Sequence, residues 1–260
     1  MAESEMMSFD EVATTFADYG LRLRGLVRYQ IIQRNLRPYL KGKKLRVLDV
    51  GGGSGPDAAM LVQLGHTVTM LEPSAEQREY AQRRFNFFLS DALRKKITIC
   101  PFGLDELQST KKFDLVLIHG VAMYQAAPKD FIAKAAAHVK RGGLLSLAEK
   151  GYYGAEARAI FTQNFEALRM LKANKRTIGN LGYEVHAFLP EDLEAILSSI
   201  PHMKILHWSG VRVVTDHLEL EIKDVDSQHV QAVLDIEYEQ GKHPAIRGQG
   251  QMLHYIVRKN

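Results

Sequence analysis

Apolar residues follow two alternating periods along this chain. Short apolar runs, typical of buried strands, occupy residues 45–50, 67–71, 97–100, 113–118 and 144–148. Between the runs, apolar residues recur at every third or fourth position, which predicts helices over residues 57–64, 75–90, 104–107 and 128–139. Strands that alternate with helices of this length indicate an α/β fold, in which a mostly parallel sheet carries helices on both faces.

The first 40 residues and the stretch after the fifth strand lack this alternation. Helical spacing predicts N-terminal helices within residues 1–40, one around residues 9–16 and a longer, arginine-rich helix over residues 21–40. From Glu149 to residue 200 the pattern is helical or loop-like, with no evident strand. We therefore expect a helical cap inserted at residues 149–200.

Sheet signals return towards the C-terminus. Residues 204–214 and 252–258 have strand patterns, and an acidic helix is predicted between them over residues 224–240. These strands extend the sheet rather than start a new unit, so residues 1–260 are expected to form one domain that carries the cap.

A glycine-rich loop, Asp49-Val50-Gly51-Gly52-Gly53-Ser54-Gly55, lies where the first predicted strand passes into a helix. Glycines allow positive φ and let a ligand approach the backbone, and the start of the helix directs N–H groups at it. Glu72 follows about 20 residues later, at the end of the next strand, where a carboxylate can accept from both ribose hydroxyls. Asp49 is placed to orient the loop or a bound amine. The alternative is a tight structural turn, with Glu72 as a solvated strand end.

The glycine loop by itself fits two classes of cofactor. As the dinucleotide motif G-x-G-x-x-A it fits poorly, because Pro56 falls where the turn should lead into the helix. The string from Asp49 instead resembles D-x-G-x-G-x-G, the first motif of class I S-adenosylmethionine-dependent methyltransferases. Residues 113–119, Phe-Asp-Leu-Val-Leu-Ile-His, resemble the family's fourth-strand motif, and the turn Arg141-Gly142-Gly143 with the leucines after it resembles the fifth. The resemblance implies S-adenosyl-L-methionine as the cofactor and a Rossmann-like, mostly parallel sheet of seven strands. Its antiparallel last strand would be residues 252–258.

A closer resemblance extends outside these motifs. Segments at residues 9–16, 24–28, 164–165, 175–177 and 210–216 resemble the bacterial methyltransferases that act on carboxymethoxyuridine in tRNA. Those enzymes esterify the carboxylate of a modified uridine at the wobble position of the anticodon, so the resemblance implies tRNA as a partner. Together with the glycine motif, it implies cofactor contacts at Arg28, Asp49, Gly51, Gly52, Gly53, Glu72, Phe102, Gly103 and His119. Two positions depart from that family: Glu72 stands where it has Asp, and Tyr124 stands where a tryptophan is expected.

Methyl transfer by such an enzyme requires few catalytic side chains. A methyl group on a sulfonium is already activated, and the protein supplies in-line positioning. A carboxylate acceptor is itself a nucleophile at pH 7 and needs only a cation to hold it, for which the guanidinium of Arg212 or Arg169 is suited. A neutral hydroxyl or amine acceptor would need a base, and His119 is the first candidate.

From these arguments we expect the catalytic residues to be His119, Tyr124 and Arg212. Arg212 is expected inside a strand, where a charged residue is rarely unpaired. The acceptor is expected to contact Tyr152, Tyr153, Arg169, Lys175, Arg176 and Arg212. The basic residues of this set, together with Lys172, are candidates to contact RNA phosphates, although a charge run is usually a solvated face.

The composition narrows the partners, the location and the metal binding to be expected of this protein. The net charge of +4, from 34 basic and 30 acidic residues, permits an anionic partner such as RNA without requiring one. The single cysteine, Cys100, excludes an intramolecular disulfide and agrees with a reducing, cytoplasmic location. The longest apolar run, around residues 115–123, is broken by His119 and is too short to span a membrane. No His, Cys and carboxylate cluster has the spacing of metal ligands, so no metal is expected.

Three alternatives stay open at this point. A small-molecule methyltransferase would use the same scaffold, with the cap closed over a compact acceptor. An NAD-dependent oxidoreductase would use the glycine loop for a dinucleotide, which Pro56 disfavours. A binding module that keeps the cofactor fold without catalysis would carry the same residues, because methyl transfer has no obligatory catalytic side chain to check.

Overall fold

The computed structural model describes residues 23–42, 44–108, 110–179, 182–216 and 226–260. The predicted helix around residues 9–16 lies outside these ranges. The first half of the chain forms α1 (Leu23–Leu40), β1 (Arg46–Val50), α2 (Pro56–Gln63), β2 (Thr67–Leu71), α3 (Ala75–Phe88), α4 (Asp91–Arg94), β3 (Ile97–Cys100), the short 3-10 helix η1 (Leu104–Glu106), β4 (Phe113–His119), η2 (Ala122–Tyr124), α5 (Pro128–Ala137) and β5 (Val139–Lys150).

The second half completes the sheet after a cap. It forms α6 (Tyr152–Phe161), α7 (Phe165–Asn174), β6 (Arg176–Ile178), β7 (Glu184–His186), α8 (Pro190–Ser199), β8 (Met203–Val211), α9 (Ser227–Gln240), η3 (Arg247–Gln249) and β9 (Met252–Lys259). Within the ranges that the structure describes, no helix is both long enough and apolar enough to cross a bilayer.

Seven strands form one sheet in the order β3-β2-β1-β4-β5-β9-β8. Strands β1 to β5 are parallel to one another, whereas β9 runs antiparallel to both of its neighbours, β5 and β8. The predicted mostly parallel sheet with an antiparallel last strand is therefore confirmed. The strand order reverses between β1 and β4, and the crevice at the carboxyl ends of such strands is where open α/β sheets bind ligands.

Helices cover both faces of the sheet. One face is covered by α1, α2, α3 and α9, whose buried residues include Leu36, Leu61 and Phe85. The other face is covered by α5 and α8, whose buried residues include Ile132 and Leu193. Successive strand residues alternate between these two cores, as expected of a sheet buried on both faces.

The cap between β5 and α8 differs from the prediction in one respect. Helices α6 and α7 pack on each other around a small apolar cluster, but β6 and β7 also pair as an antiparallel two-stranded sheet. The expectation of no strand in residues 149–200 was wrong, because three residues are too few to show the alternation that identifies a strand. In addition, β5 continues through Glu149 to Lys150, because both residues pair with β9.

Candidate active site

The glycine loop takes a backbone path that other residues would obstruct. Gly51, Gly53 and Gly55 have φ angles of +64°, +55° and +75°. A Cβ on Gly52 would stand 2.4 Å from Met70 Cγ and 2.8 Å from Asp49 Oδ2. Pro56 opens α2 at the first helical position, where a proline is favoured because its missing N–H has no helical partner. The loop therefore needs glycine at these positions, and it forms a cradle of backbone without side chains at the start of α2.

Glu72 is held beside this cradle by backbone donors. Its Oε2 accepts from the N–H of Gly53 at 2.8 Å, and its Oε1 accepts from the N–H of Ser74 at 2.9 Å. The side chain is 5% exposed. An ionised carboxylate has about four acceptor positions, so a side chain of this type at this place suits the two adjacent hydroxyls of a ribose.

Two further carboxylates lie buried at the loop, Asp49 and Asp57. No hydrogen bond from a described residue reaches Asp49 Oδ2 or Asp57 Oδ1. Burial raises the pKa of Asp49 well above its ordinary value, and the nearby Asp57 and Glu72 raise it further. Burial by itself also raises the pKa of Asp57, but His119, Arg28 and a hydrogen bond from the side chain of Gln33 outweigh it, and the net pKa is lowered. Unsatisfied buried acceptors indicate a ligand that brings donors, such as hydroxyls or an ammonium group.

A chain of buried hydrogen bonds runs from Asp57 across the sheet. His119, at the end of β4, bonds Asp57 Oδ2 through Nδ1 and Ser146 Oγ through Nε2, both at 2.8 Å. Ser146 Oγ bonds His254 Nε2 at 2.8 Å, and Asn35 Nδ2 donates to His254 Nδ1 at 3.2 Å. Because Asn35 donates, the order that satisfies every bond is His254 to Ser146, Ser146 to His119 and His119 to Asp57. Both nitrogens of His119 are thus engaged inside the protein.

Arg28 and Glu149 shape the end of β4. Arg28 Nη2 donates to the carbonyl oxygen of His119 at 3.0 Å. The buried carboxylate of Glu149 accepts from the N–H groups of residues 121–123, at 3.3, 2.9 and 3.0 Å. Burial raises the pKa of Glu149 to about 7, although these three donors and Arg28 act to lower it. Glu149 therefore fixes η2, which carries Tyr124. In the sequence analysis Glu149 marks only the start of the cap. An acidic residue at the end of an apolar strand could have identified it as a candidate site residue.

Tyr124 lies between the sheet edge and the cap. Burial raises the pKa of its hydroxyl, and the charges of Glu149 and Tyr183 raise it further, whereas Arg28 lowers it. The phenol is therefore neutral at pH 7 and keeps its O–H proton. Phe102, in the loop after β3, is partly buried against the apolar core. The neighbouring Gly103 has open space where a Cβ would stand.

Arg212 belongs to a second group of charges at the same edge of the sheet. The expectation that it lies inside a strand was wrong: β8 ends at Val211, and Arg212 has a φ of +59°, which no regular strand accommodates. Its guanidinium is 4% exposed and forms an ion pair with Asp216. Arg158 Nη1 approaches the same carboxylate at 3.2 Å.

Lys150 completes this group from the end of β5. Its Nζ donates to Gln251 Oε1 at 2.7 Å. Burial, together with the positive charges of Arg212, Arg158 and Arg24, lowers the pKa of Lys150 to about 7. Sequence reasoning missed Arg24, Lys150 and Arg158, because no local pattern connects residues so distant along the chain.

The cap holds the other residues predicted to contact the acceptor. Tyr152 is buried in the cluster between α6 and α7, whereas its neighbour Tyr153 is 42% exposed. Arg169 is exposed on α7. Lys175 pairs with an aspartate and Arg176 with a glutamate. The structure thus brings Arg212 to the sheet edge and leaves this basic set on the cap, partly neutralised. In the part of the chain that is described, no cluster of His, Cys, Asp and Glu could hold a metal.

Comparison with known proteins agrees with this geometry. Residues 20–186 match the family model described as a methyltransferase domain. The tRNA 5-carboxymethoxyuridine methyltransferase of Escherichia coli K12 is 26% identical over 262 aligned residues, which cover 97% of this chain and 96% of that protein.

Solved structures of other methyltransferases share the fold. One is 1,6-didemethyltoxoflavin-N1-methyltransferase of Burkholderia thailandensis with bound S-adenosylhomocysteine (TM-score 0.57, 16% identity, 100% of this chain and 93% of that one). Another is an S-adenosylmethionine-dependent methyltransferase of Methanosarcina mazei (TM-score 0.58, 15% identity, 86% and 96%).

The residues at the crevice fit S-adenosyl-L-methionine. The glycine cradle leaves no room for a Cβ at Gly52, and Glu72 can accept from the ribose hydroxyls. The unsatisfied oxygens of Asp49 and Asp57 suit donors of the cofactor. The chain belongs to the methyltransferase-domain family and is an S-adenosylmethionine-dependent methyltransferase.

Proposed function

We propose that this enzyme methylates the carboxylate of 5-carboxymethoxyuridine at the wobble position of tRNA. The observation that carries the proposal is the extent of the similarity to the Escherichia coli enzyme. The family model ends at residue 186, whereas that similarity covers 97% of the chain and so includes β8 and the turn that holds Arg212 and Asp216. The match therefore extends beyond the part that binds the cofactor to the part that would face the acceptor.

The protonation pattern of the site suits an acceptor that needs no base. When bound, S-adenosyl-L-methionine supplies a methyl carbon on a positively charged sulfur, which leaves with the bonding electron pair. A carboxylate oxygen can attack that carbon without losing a proton. His119, the side chain expected to act as a base, bonds Asp57 and Ser146 through its two nitrogens. It is arranged to hold Asp57 beside the glycine loop rather than to take a proton from an acceptor.

The cofactor residues have separate tasks in this proposal. Glu72 accepts from the ribose, and Asp49 and Asp57 offer buried oxygens to the donors of the cofactor. Arg28, fixed against the end of β4, is placed to pair with the carboxylate of the methionine moiety. Tyr124 is placed to donate a hydrogen bond at the acceptor side of η2. The exposed Arg169 and Tyr153, with Lys175 and Arg176, offer contacts to the tRNA backbone and bases.

The test uses methyl-labelled S-adenosyl-L-methionine and total tRNA from a strain that lacks the wobble-ester methylation. We expect label in the tRNA that is released by mild base, because esters hydrolyse there. The matched control is tRNA from a strain that also lacks the carboxymethoxy group, which should stay unlabelled. Base-stable label would place the methyl group on another atom, and no label at all, with cofactor binding verified, would favour a small-molecule acceptor. Either result would contradict the proposal.

A further inference from the structure

One face of α3 lies against the glycine loop. The buried residues of this helix are Gln77, Ala81 and Phe85, which are spaced four residues apart and therefore share a face. A Cβ on Gly55 would stand 2.4 Å from Phe85 Cζ and 3.3 Å from Ala81 Cβ. A Cβ on Gly53 would stand 3.7 Å from Gln77 Oε1. Two positions of the face are thus apolar, as packing on a core requires, and the polar one lies in the first turn, beside the carboxyl end of β2.

The side-chain amide of Gln77 is buried at this place. The residue is 3% exposed, and its Nε2 meets no hydrogen-bond acceptor in the part of the chain that the structure describes. A buried donor without a partner costs free energy and is rare in folded proteins, so it calls for a reason. Exchanging the oxygen and nitrogen of the amide would leave an unsatisfied atom at the same point.

The start of α3 explains why this amide is turned towards the loop. Ser74 and Gln77 have the spacing of a capping box, in which the fourth side chain bonds back to the N–H of the first residue. Ser74 Oγ does accept from the N–H of Gln77 at 3.1 Å. The N–H of Ser74, however, donates to Glu72 Oε1 at 2.9 Å. Glu72 therefore replaces the reciprocal bond of the box, and the amide of Gln77 lies beside Gly53 instead.

Glu72 and Gln77 reach Gly53 from two different elements. Glu72 Oε2, after the end of β2, accepts from the N–H of Gly53 at 2.8 Å, and Gln77 approaches the same glycine from α3. An ionised carboxylate only accepts hydrogen bonds, whereas an amide nitrogen only donates them. A hydroxyl that donates to a carboxylate keeps its lone pairs, and in a buried site these need a donor. An acid and an amide side by side therefore match a ribose better than an acid alone.

We propose that Gln77 is a specificity residue for the cofactor, in which Nε2 donates a hydrogen bond to a ribose hydroxyl oxygen of S-adenosyl-L-methionine beside the bonds that the hydroxyls donate to Glu72. The buried amide gains its partner when the cofactor binds, so its unmet bond favours the loaded form of the enzyme. This role concerns the cofactor and does not depend on which acceptor is methylated.

The first test separates a bond to the cofactor from a role in the fold. Gln77→Met keeps the size and the helix preference of the side chain and removes its polar atoms. Without cofactor, the midpoint of thermal unfolding should not fall, because an unsatisfied buried donor is removed. The dissociation constant of S-adenosylhomocysteine should nevertheless rise by about threefold to tenfold, the effect of one neutral hydrogen bond. A lower midpoint with an unchanged dissociation constant would overturn the proposal.

Deoxy analogues test whether the bond goes to the ribose. The 2′-deoxy and 3′-deoxy analogues of S-adenosylhomocysteine are titrated against the wild-type enzyme and Gln77→Met. In the wild-type enzyme, loss of at least one hydroxyl should weaken binding by about tenfold or more, since Glu72 and Gln77 both lose a partner. In Gln77→Met the penalty for that hydroxyl should be several-fold smaller, because only the bond to Glu72 is lost. Equal penalties in both proteins for both analogues would overturn the assignment.

The matched control is Gln82→Met. Gln82 is an exposed residue of α3, so this variant undergoes the same chemical change in the same helix, away from the glycine loop. It should keep the wild-type dissociation constants for S-adenosylhomocysteine and for both analogues. A deoxy penalty that shrinks as much in Gln82→Met as in Gln77→Met would show an effect of the helix as a whole and would also overturn the assignment.

Gln77→Glu gives an independent check of the donor. It keeps the shape of the side chain but replaces the amide nitrogen by a second carboxylate oxygen near Glu72, which offers the ribose no donor and repels the first charge. We expect this variant to bind S-adenosylhomocysteine more weakly than Gln77→Met does at pH 8. Binding as tight as that of the wild-type enzyme would contradict a donor role for Gln77.

Discussion

Glu149 and Lys150 are neighbours at the end of β5, and their side chains serve two different groups. Glu149 accepts from the backbone of η2 beside the cofactor crevice, whereas Lys150 donates to Gln251 among the cations around Arg212. Successive residues of a strand point to opposite faces, so one strand end supports both groups at once. The residues at the cofactor crevice and the charged group around Arg212 are thereby linked through the backbone of one strand.

Ser146→Ala should damage the buried chain that ends at Asp57. The substitution leaves the facing nitrogens of His119 and His254 without a partner, which should lower the free energy of unfolding by about 1–3 kcal/mol. Because His119 would hold Asp57 less firmly, the affinity for S-adenosylhomocysteine should fall several-fold. Urea unfolding and calorimetric titration measure the two effects. Ser209→Ala is the control. Ser209 Oγ accepts from Asn35 Nδ2 at the end of the hydrogen-bond chain far from Asp57, so its loss should lower stability without lowering the affinity for the cofactor.

Glu72→Ala should weaken cofactor binding more strongly than Ser146→Ala does. It removes both the acceptor for the ribose and the oxygen that holds the N–H of Gly53, so we expect the dissociation constant of S-adenosylhomocysteine to rise by about tenfold to a hundredfold. Glu79→Ala, which removes an exposed carboxylate from a surface ion pair on α3, should leave that constant unchanged. An equal constant for Glu72→Ala and the wild-type enzyme would remove Glu72 from the cofactor site.

Gly52→Ala should impair the cradle by sterics alone. The added methyl group would stand 2.4 Å from the buried Met70 and 2.8 Å from Asp49 Oδ2, so we expect a loss of about 1–3 kcal/mol in stability together with weaker cofactor binding. In Gly142→Ala the methyl group meets no atom within 4 Å, and only the positive φ opposes it. That variant should lose about 1 kcal/mol and keep the cofactor affinity, as measured by thermal unfolding and titration.

The cofactor half could be predicted from sequence because its signals are local. The glycine string, Glu72 and the strand that ends at His119 lie within short motifs whose order along the chain also gives their place in a doubly wound sheet. The charged group around Arg212 could not be predicted in this way. Arg24, Lys150 and Arg158 come together only because β5, β9 and α1 converge, and residue spacing does not record that convergence. The β6–β7 pair was missed for a different reason. Each of its strands has only three residues, which is too few to show the alternation that identifies a strand.

The buried pair Lys150 and Glu149 should give the free energy of unfolding a distinct pH dependence. The lowered pKa of Lys150 means that the unfolded chain binds more protons between about pH 7 and 10.5, so stability rises with pH across that window and is lost as the pH falls towards 7. The raised pKa of Glu149 means that the folded protein binds more protons between about pH 4.5 and 7, so its contribution is lost as the pH rises towards 7. Together they predict a local minimum in the free energy of unfolding near pH 7. Urea unfolding from about pH 5 to 9 measures it, and in Lys150→Met the rise above pH 7 should disappear while the fall below pH 7 persists.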